Sequence, residues 1–281
     1  MNTKKKTLAV LFGGHSSEYE VSLQSAAAVL EAVDTEQFDP LPIGITKDGD
    51  WYRYLGTYSA IAAGTWADDS ALLRPAAFSP SRSAPGLWEL RNGEWTLQQI
   101  DLAFPVLHGK NGEDGTVQGL FELAGIPLVG CGTLASALCM DKDRAHKLVS
   151  LAGIAMPKSV VLEENTASAR QKILDTLTFP VFVKPVRAGS SFGITRVETA
   201  AALDAAIDTA FRYDRSVLAE EAVPGFEVGC AVLGTGELTV GRADEIELSG
   251  GFFDFEEKYT LKTSRIHMPA RVDAETERRI Q

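Results

Sequence analysis

At 281 residues, 45% hydrophobic and 23% charged, the sequence has the make-up of an ordinary globular protein of two or three domains. Its net charge of -11 repels nucleic acid and anionic lipid, so neither is an expected partner, and a small anion would need its own local lysines. Cys131, Cys139 and Cys230 are odd in number and lack metal-ligand spacing, which predicts buried, reduced thiols; no apolar run is long enough for a secretory core or a membrane span, which places the protein in the cytoplasm.

In chain order, Thr7 to Phe12 reads as a buried strand, turned by Gly13-Gly14 into a helix that opens near Ser16-Ser17-Glu18 and runs to about Val33. The start of that helix offers free N–H groups to a small anion, while Glu18 offers a negative charge to an ammonium; both signs together suit an amino acid. The residues alone leave a second reading open, in which Glu18 only favours the helix N-terminus electrostatically. Leu41 to Thr46 and Trp51 to Tyr54 read as strands, and from Gly56 to about Asn92 the pattern dissolves into Ser, Ala, Pro and Gly, which predicts an irregular insertion.

Ile100 to Leu107 is a further buried strand, ending in the glycine-rich, charged run His108 to Gly115 before an amphipathic helix, Thr116 to Ala124. Glycine loses more entropy on ordering than any other residue, so such a loop at a strand's C-terminal edge points to a task, with His108 as its titratable group; a hydrogen-bonded structural histidine is the alternative. Gly130-Cys131-Gly132-Thr133-Leu134-Ala135 fits the loose dinucleotide fingerprint, but the acid expected on a following strand is missing, so an oxidoreductase is set aside. The chain is helical there, through Lys147 to Leu151, beginning with Asp141 as cap and Lys142 as a candidate phosphate cation.

After Gly153 the sequence predicts a strand through Val160 to Leu162, a helix over about Thr166 to Leu177, a strand Val181 to Val183, a hairpin partner Thr195 to Val197 and a helix Ala200 to Tyr213. Lys184 ends the Val181 strand, and Gly189-Ser190-Ser191-Phe192-Gly193 follows, where successive backbone N–H groups can turn toward an anion. A lysine beside such a turn suits phosphate, although either feature alone is as readily a solvated strand end and a plain turn; no Walker A loop is present. Val217 to Glu221 is a strand with an acidic end, Phe226 to Leu233 alternates with Glu227 inside the pattern, and a carboxylate in an apolar strand needs a partner or a ligand. Thr239 to Leu248 is another strand, and Phe252 to Tyr259 an aromatic, charged loop.

Taken together, Gly13-Gly14-His15-Ser16-Ser17-Glu18 with Val21-Ser22, His108-Gly109 through Gly112-Glu113-Asp114-Gly115, Met140-Asp141-Lys142, Val183-Lys184-Pro185 with Gly189-Ser190-Ser191, and Lys258-Tyr259 resemble, in order, the motifs of the D-alanyl-D-alanine ligases. Closer in detail, His108 to Gly130 and Leu138 to Gly153 look like the VanG-type D-alanine:D-serine ligases of vancomycin resistance. The resemblance implies an α/β ATP-grasp enzyme with an N-terminal Rossmann-like domain (1–135), a central ATP-grasp subdomain (136–213) and a C-terminal one (214–281). It implies that Glu18, Ser190 and Tyr259, with His108 close by, orient D-alanine, that Lys142, Lys184, Lys258 and Ser191 hold ATP phosphates, and that Glu220 lies near adenine and Glu227 on ribose. Each such cation about 4 Å from a phosphate charge is worth roughly 4 kcal/mol at an effective dielectric near 20.

The expected chemistry is phosphorylation of the D-alanine carboxylate and attack on the acyl phosphate by the amine of a second D-amino acid, D-serine favoured, in peptidoglycan precursor synthesis. A housekeeping D-alanine:D-alanine ligase is the alternative, and Tyr259 argues against D-lactate. ATP and Mg²⁺ are the implied cofactors, D-alanine, D-serine and a second copy of the chain the implied partners. The family's Asn-Glu-x-Asn metal segment has no counterpart here, and Ala270-Arg271-Val272-Asp273 follows Met268-Pro269 and precedes a helix, so it is read as a decoy. The expectation is therefore a C-terminally truncated chain that binds nucleotide and D-alanine without ligating, and no metal ligand is named.

Overall fold

The computed structural model describes residues 4–248 and 264–281. Its first unit is a seven-stranded sheet in the order β6-β5-β4-β3-β2-β1-β7. The strands are β1 (Lys6–Gly13), β2 (Phe38–Ile45), β3 (Trp51–Tyr54), β4 (Leu73–Ser79), β5 (Gly86–Arg91), β6 (Glu94–Gln98) and β7 (Leu102–Pro105). β1 pairs in parallel with both β2 and β7, and the rest of the sheet is antiparallel. β1 is buried on both faces: Leu8, Val10 and Phe12 pack with helix α1 (Tyr19–Ala32), whereas Ala9 and Leu11 pack on the side of α3 (Thr116–Ala124). That is the pattern of a strand sandwiched between helical layers. The crevice where the chain leaves β1 for one face and β7 for the other lies at the strands' carboxyl ends, the usual place for a ligand in such sheets.

The expected irregular insertion from Gly56 to Asn92 is corrected. It contains helix α2 (Tyr58–Ala62), β4 and β5, and two of its aromatic residues, Trp66 and Phe78, are core, whereas Trp88 is exposed; Trp66 is 1% exposed and stacks edge-on against Phe12. β5 and β6 form a hairpin around Asn92-Gly93, both at positive φ (51° and 83°), the geometry that right-twisted strands favour in a two-residue turn. The stretch from Thr133, noted for its glycines, opens a further helix, α4 (Thr133–Met140), and α5 (Lys142–Leu151) follows with Asp141 as its cap, its carboxylate accepting from Arg144 N at 3.0 Å.

The second unit is a four-stranded sheet, β10-β9-β11-β8, built from β8 (Ser159–Leu162), β9 (Val181–Pro185), β10 (Thr195–Val197) and β11 (Val217–Glu221), and covered by α6 (Ala167–Thr176) and α7 (Leu203–Ala210). β11, beyond residue 213, thus completes the central sheet. A third sheet runs β12-β13-β14, from Glu227–Leu233, Thr239–Leu248 and Ser264–His267, followed by α8 (Ala274–Ile280). Arg271, in the stretch read as a decoy, is held by the buried Glu245 of β13, which accepts from its backbone N and its guanidinium. The thiols depart from expectation: Cys131 and Cys139 are exposed and Cys230 is half-buried, because Cys131 precedes α4 and Cys139 lies on its outer side.

Candidate active site

The site grows from the turn after β1. Gly13 N donates to Ser22 Oγ (2.9 Å), and that hydroxyl donates to Val106 O, so one α1 residue ties the ends of β1 and β7 together. Glu18 sits at the N-cap position of α1, but its side chain makes no cap hydrogen bond. Its carboxylate, 3% exposed, instead accepts a hydrogen bond at Oε1 from Ser190 Oγ, 172 residues away in the second unit. The purely electrostatic reading of Glu18 does not account for that partner.

Two glycines make room for this carboxylate. A Cβ at Gly109 (φ +69°) would overlap Glu18 Oε2, and one at Gly189 would lie 2.8 Å from it. Gly189 therefore matters for close approach, whereas the left-handed residues of the turn are Ser190 (φ 45°), Ser191 (φ 59°) and Gly193 (φ 69°). His108 Nε2 lies 3.1 Å from Ser25 Oγ. Glu113 Oε2 accepts from Gly109 N (2.8 Å), and Asp114 accepts from Asn111 N (2.9 Å) and Thr116 N (3.0 Å). The loop's acids thus fold it on itself, and Glu113 joins Glu18 and His108 in a cluster whose ligating atoms all lie within 4.8 Å of one another.

Behind the 187–193 turn stand the cations. Lys142 Nζ donates to Ala188 O (2.6 Å) and Val186 O (3.4 Å). Burial, reinforced by Lys184, pulls its ammonium down to about 8 against the opposing pull of Glu220, Asp214 and Glu18. Lys184 pairs with Glu220, a diagonal neighbour across the β9–β11 ladder, and lies 5.3 Å from the Phe182 ring centroid. Arg187 braces the turn on Asp214, with bonds of 2.8 and 3.1 Å from its guanidinium and 2.7 Å from its backbone N; burial would raise the Asp214 carboxyl, but these donors hold it below its ordinary value.

Sequence reasoning missed three groups here. His146 follows Lys142 by four residues on α5, the spacing that puts two side chains on one helix face, and its Nε2 lies 3.4 Å from Glu220 Oε2. His146 Nδ1 and Glu220 Oε2 are buried without a hydrogen-bond partner. Glu113 and Ser25 escaped because their partners are distant in sequence. One expectation is revised: Glu227 is exposed on β12, so no burial cost calls for a ligand there. Lys258 and Tyr259 lie outside the described residues.

Two lysines, a turn with left-handed serines and orphaned buried polar atoms beside Lys184 fit a nucleotide polyphosphate with a base to satisfy them. Mg²⁺ fits less well. It prefers octahedral oxygen ligation shared with phosphate and water, and among the described residues the group of three within ligating reach contains an imidazole and stands at Glu18.

Family models decide the relationship: the description "D-ala D-ala ligase N-terminus" matches residues 7–131 and "D-ala D-ala ligase C-terminus" residues 148–281. The chain belongs to the D-alanyl-D-alanine ligase family. It is thus an ATP-grasp ligase, of a class that uses ATP and Mg²⁺. The ligase is 45% identical, over 99% of its length and 79% of the relative's, to the vancomycin B-type resistance protein VanB of Enterococcus faecalis. It is 43% identical to the D-alanine–D-alanine ligase of Caldicellulosiruptor bescii, over 99% and 76% of the two chains. The crystal structure of VanG D-Ala:D-Ser ligase from Enterococcus faecalis superposes with a TM-score of 0.88 at 61% identity, covering 99% of this ligase and 80% of that chain. Among the described residues no helix is long and apolar enough to cross a membrane.

Proposed function

We propose that this ligase joins D-alanine to D-serine at the expense of ATP, through a D-alanyl phosphate, for peptidoglycan precursors that resist vancomycin. The observation that carries the reading is the hydrogen bond from Ser190 to the buried Glu18 carboxylate, which sets an ammonium site in one unit against a phosphate turn of the other. Glu18 receives the ammonium of D-alanine, with His108 and Tyr259 assigned beside it, and Ser190 positions the carboxylate. Lys142, Lys184, Lys258 and Ser191 take the phosphates, Glu220 the adenine side and Glu227 the ribose.

In the first step a carboxylate oxygen of D-alanine attacks the γ-phosphorus, and the bond to the leaving ADP oxygen breaks with its electron pair on ADP. In the second, the amine of D-serine attacks the acyl carbon, inorganic phosphate leaves and the nitrogen loses a proton. Fixed lysines lower the first barrier because they compensate charge that shifts toward ADP without reorganising.

D-Serine as second substrate is supported by the likeness to the VanG structure. Supplying the enzyme, in a form that carries the family's metal segment, with ATP, Mg²⁺, D-alanine and an equal concentration of D-serine, and resolving the dipeptides by mass spectrometry, should give mostly D-alanyl-D-serine. A product dominated by D-alanyl-D-alanine would defeat that choice and leave the housekeeping reading. The same proposal makes the protein a cytoplasmic homodimer, checked by a light-scattering mass near twice 30.2 kDa.

A further inference from the structure

Glu18, His108 and Glu113 bring one imidazole and two carboxylates together, with ligating atoms within 4.8 Å of one another. Each keeps an atom in hand. Glu18 is 3% exposed, and among the described residues its side chain takes one hydrogen bond, at Oε1, so Oε2 takes none. Glu113 uses Oε2 for Gly109 N, and His108 uses Nε2 for Ser25 Oγ, so Oε1 and Nδ1 are not engaged by those contacts. The space around Glu18 Oε2 is kept open by Gly109 and Gly189, where a Cβ would intrude.

A carboxylate oxygen that takes no donor, on a buried side chain and next to a second carboxylate and an imidazole, suits a cation. An ammonium also satisfies the charge and can donate to an imidazole nitrogen, but that lone pair together with two carboxylates makes the mixed nitrogen and oxygen set that suits a borderline metal ion. Zinc bonds to such atoms at about 2.0–2.2 Å. The cluster must therefore contract, which the exposed side chain of Glu113 permits. Two carboxylates also neutralise a divalent cation, and nitrogen ligation disfavours Mg²⁺.

We propose that Glu18, His108 and Glu113 form a binding site for a divalent transition-metal ion, Zn²⁺ in preference to Mg²⁺, and that the bound ion excludes the amino acid. The exclusion rests on the proposed placement of the D-alanine ammonium at Glu18; the metal site does not. Zinc is then a competitive inhibitor toward D-alanine and leaves nucleotide binding in place.

The test is titration of the protein with zinc chloride by calorimetry in a non-chelating buffer, with cobalt(II) absorption as a second readout of ligation. One ion should bind per chain at this site, and Glu113→Gln and His108→Gln should each weaken it by at least about tenfold, as loss of a direct ligand should cost no less than loss of an outer one. Magnesium in large excess should not displace it, and added D-alanine should raise the apparent Kd for zinc in proportion to its concentration. Absence of zinc binding while D-alanine still binds, or zinc binding that neither substitution weakens, overturns the metal site and spares the amino-acid reading. Zinc bound at full affinity under saturating D-alanine overturns the exclusion, and with it the ammonium placement. The exposed position of Glu113 makes Glu113→Gln the variant that keeps the fold.

Discussion

Lys142 shows how a single residue couples chemistry to pH. Its folded pKa of about 8, below the ordinary 10.5, means that the folded chain binds fewer protons than the unfolded one between those values. Its contribution to stability therefore rises with pH across that window. A bound triphosphate reverses the imbalance by favouring the ammonium. Nucleotide binding above about pH 8 should then take up close to one proton and weaken as pH rises, whereas below about pH 7 it should take up none. Calorimetry in buffers of different ionisation enthalpy reads this directly; equal heats in all buffers at pH 8.5 would remove Lys142 from the phosphates. Lys184 makes a different case, because its partner Glu220 is buried. Lys184→Met should abolish nucleotide binding and also destabilise the fold by about 3 kcal/mol, because the buried Glu220 carboxylate loses its lysine and keeps only the His146 imidazole, 3.4 Å away. Adding Glu220→Gln should restore most of the stability and none of the binding, as judged by urea unfolding and nucleotide titration. A Lys184→Met protein of unchanged stability would mean that Glu220 finds water there.

At the scale of elements, the β5–β6 hairpin depends on its turn. Gly93 sits at φ +83° with nothing within 4 Å of where a methyl group would stand, so Gly93→Ala meets backbone strain and no clash. It should cost about 1 kcal/mol in urea unfolding without touching ligand binding. A loss several times larger would point to a register shift of β6. The Asn92-Gly93 pair is a hairpin signal that the expectation of an irregular insertion passed over, and Pro75, Pro80, Pro85 and Gly86 obscure the strands before it. The Phe179 to Ile194 stretch is legible because strand, lysine and turn are local. The partners of its side chains are not, since Glu220 meets Lys184 only through the β9–β11 register and Glu18 meets Ser190 only through tertiary packing. In the third sheet, Glu245 is held at about 2, first by its hydrogen bonds from the Arg271 guanidinium and backbone. A carboxyl depressed from 4.5 stabilises the fold above its unfolded value and loses that contribution as pH falls from about 4.5 toward 2. Arg271→Met should therefore flatten the acid limb of a stability–pH curve in that window; an unchanged limb would make the pair energetically idle.

On the scale of the whole molecule, the site is divided between two units that each have their own core. The first contributes Glu18 and His108 from the carboxyl edge of its sheet, the second contributes Ser190 and Lys184, and Lys142 leads the connecting α5 under the second unit's turn. The proposed substrates divide in the same way, with the ammonium on the first unit, the phosphates on the second and the D-alanine carboxylate between them. This division makes a crossed prediction. Ser190→Ala removes one hydroxyl at the seam, so it should weaken D-alanine binding by about tenfold, the worth of one hydrogen bond to a charged group, and leave nucleotide affinity within about twofold. Lys142→Met should do the opposite, because it removes a positive charge from the phosphates and leaves Glu18 and its glycine-lined space intact. Calorimetric titration of each ligand into each variant supplies the four affinities. If Ser190→Ala weakened nucleotide as much as D-alanine, the 187–193 turn would be acting as one structural piece whose collapse removes both sites, and the separate assignment of amino acid and phosphate to the two units would fail.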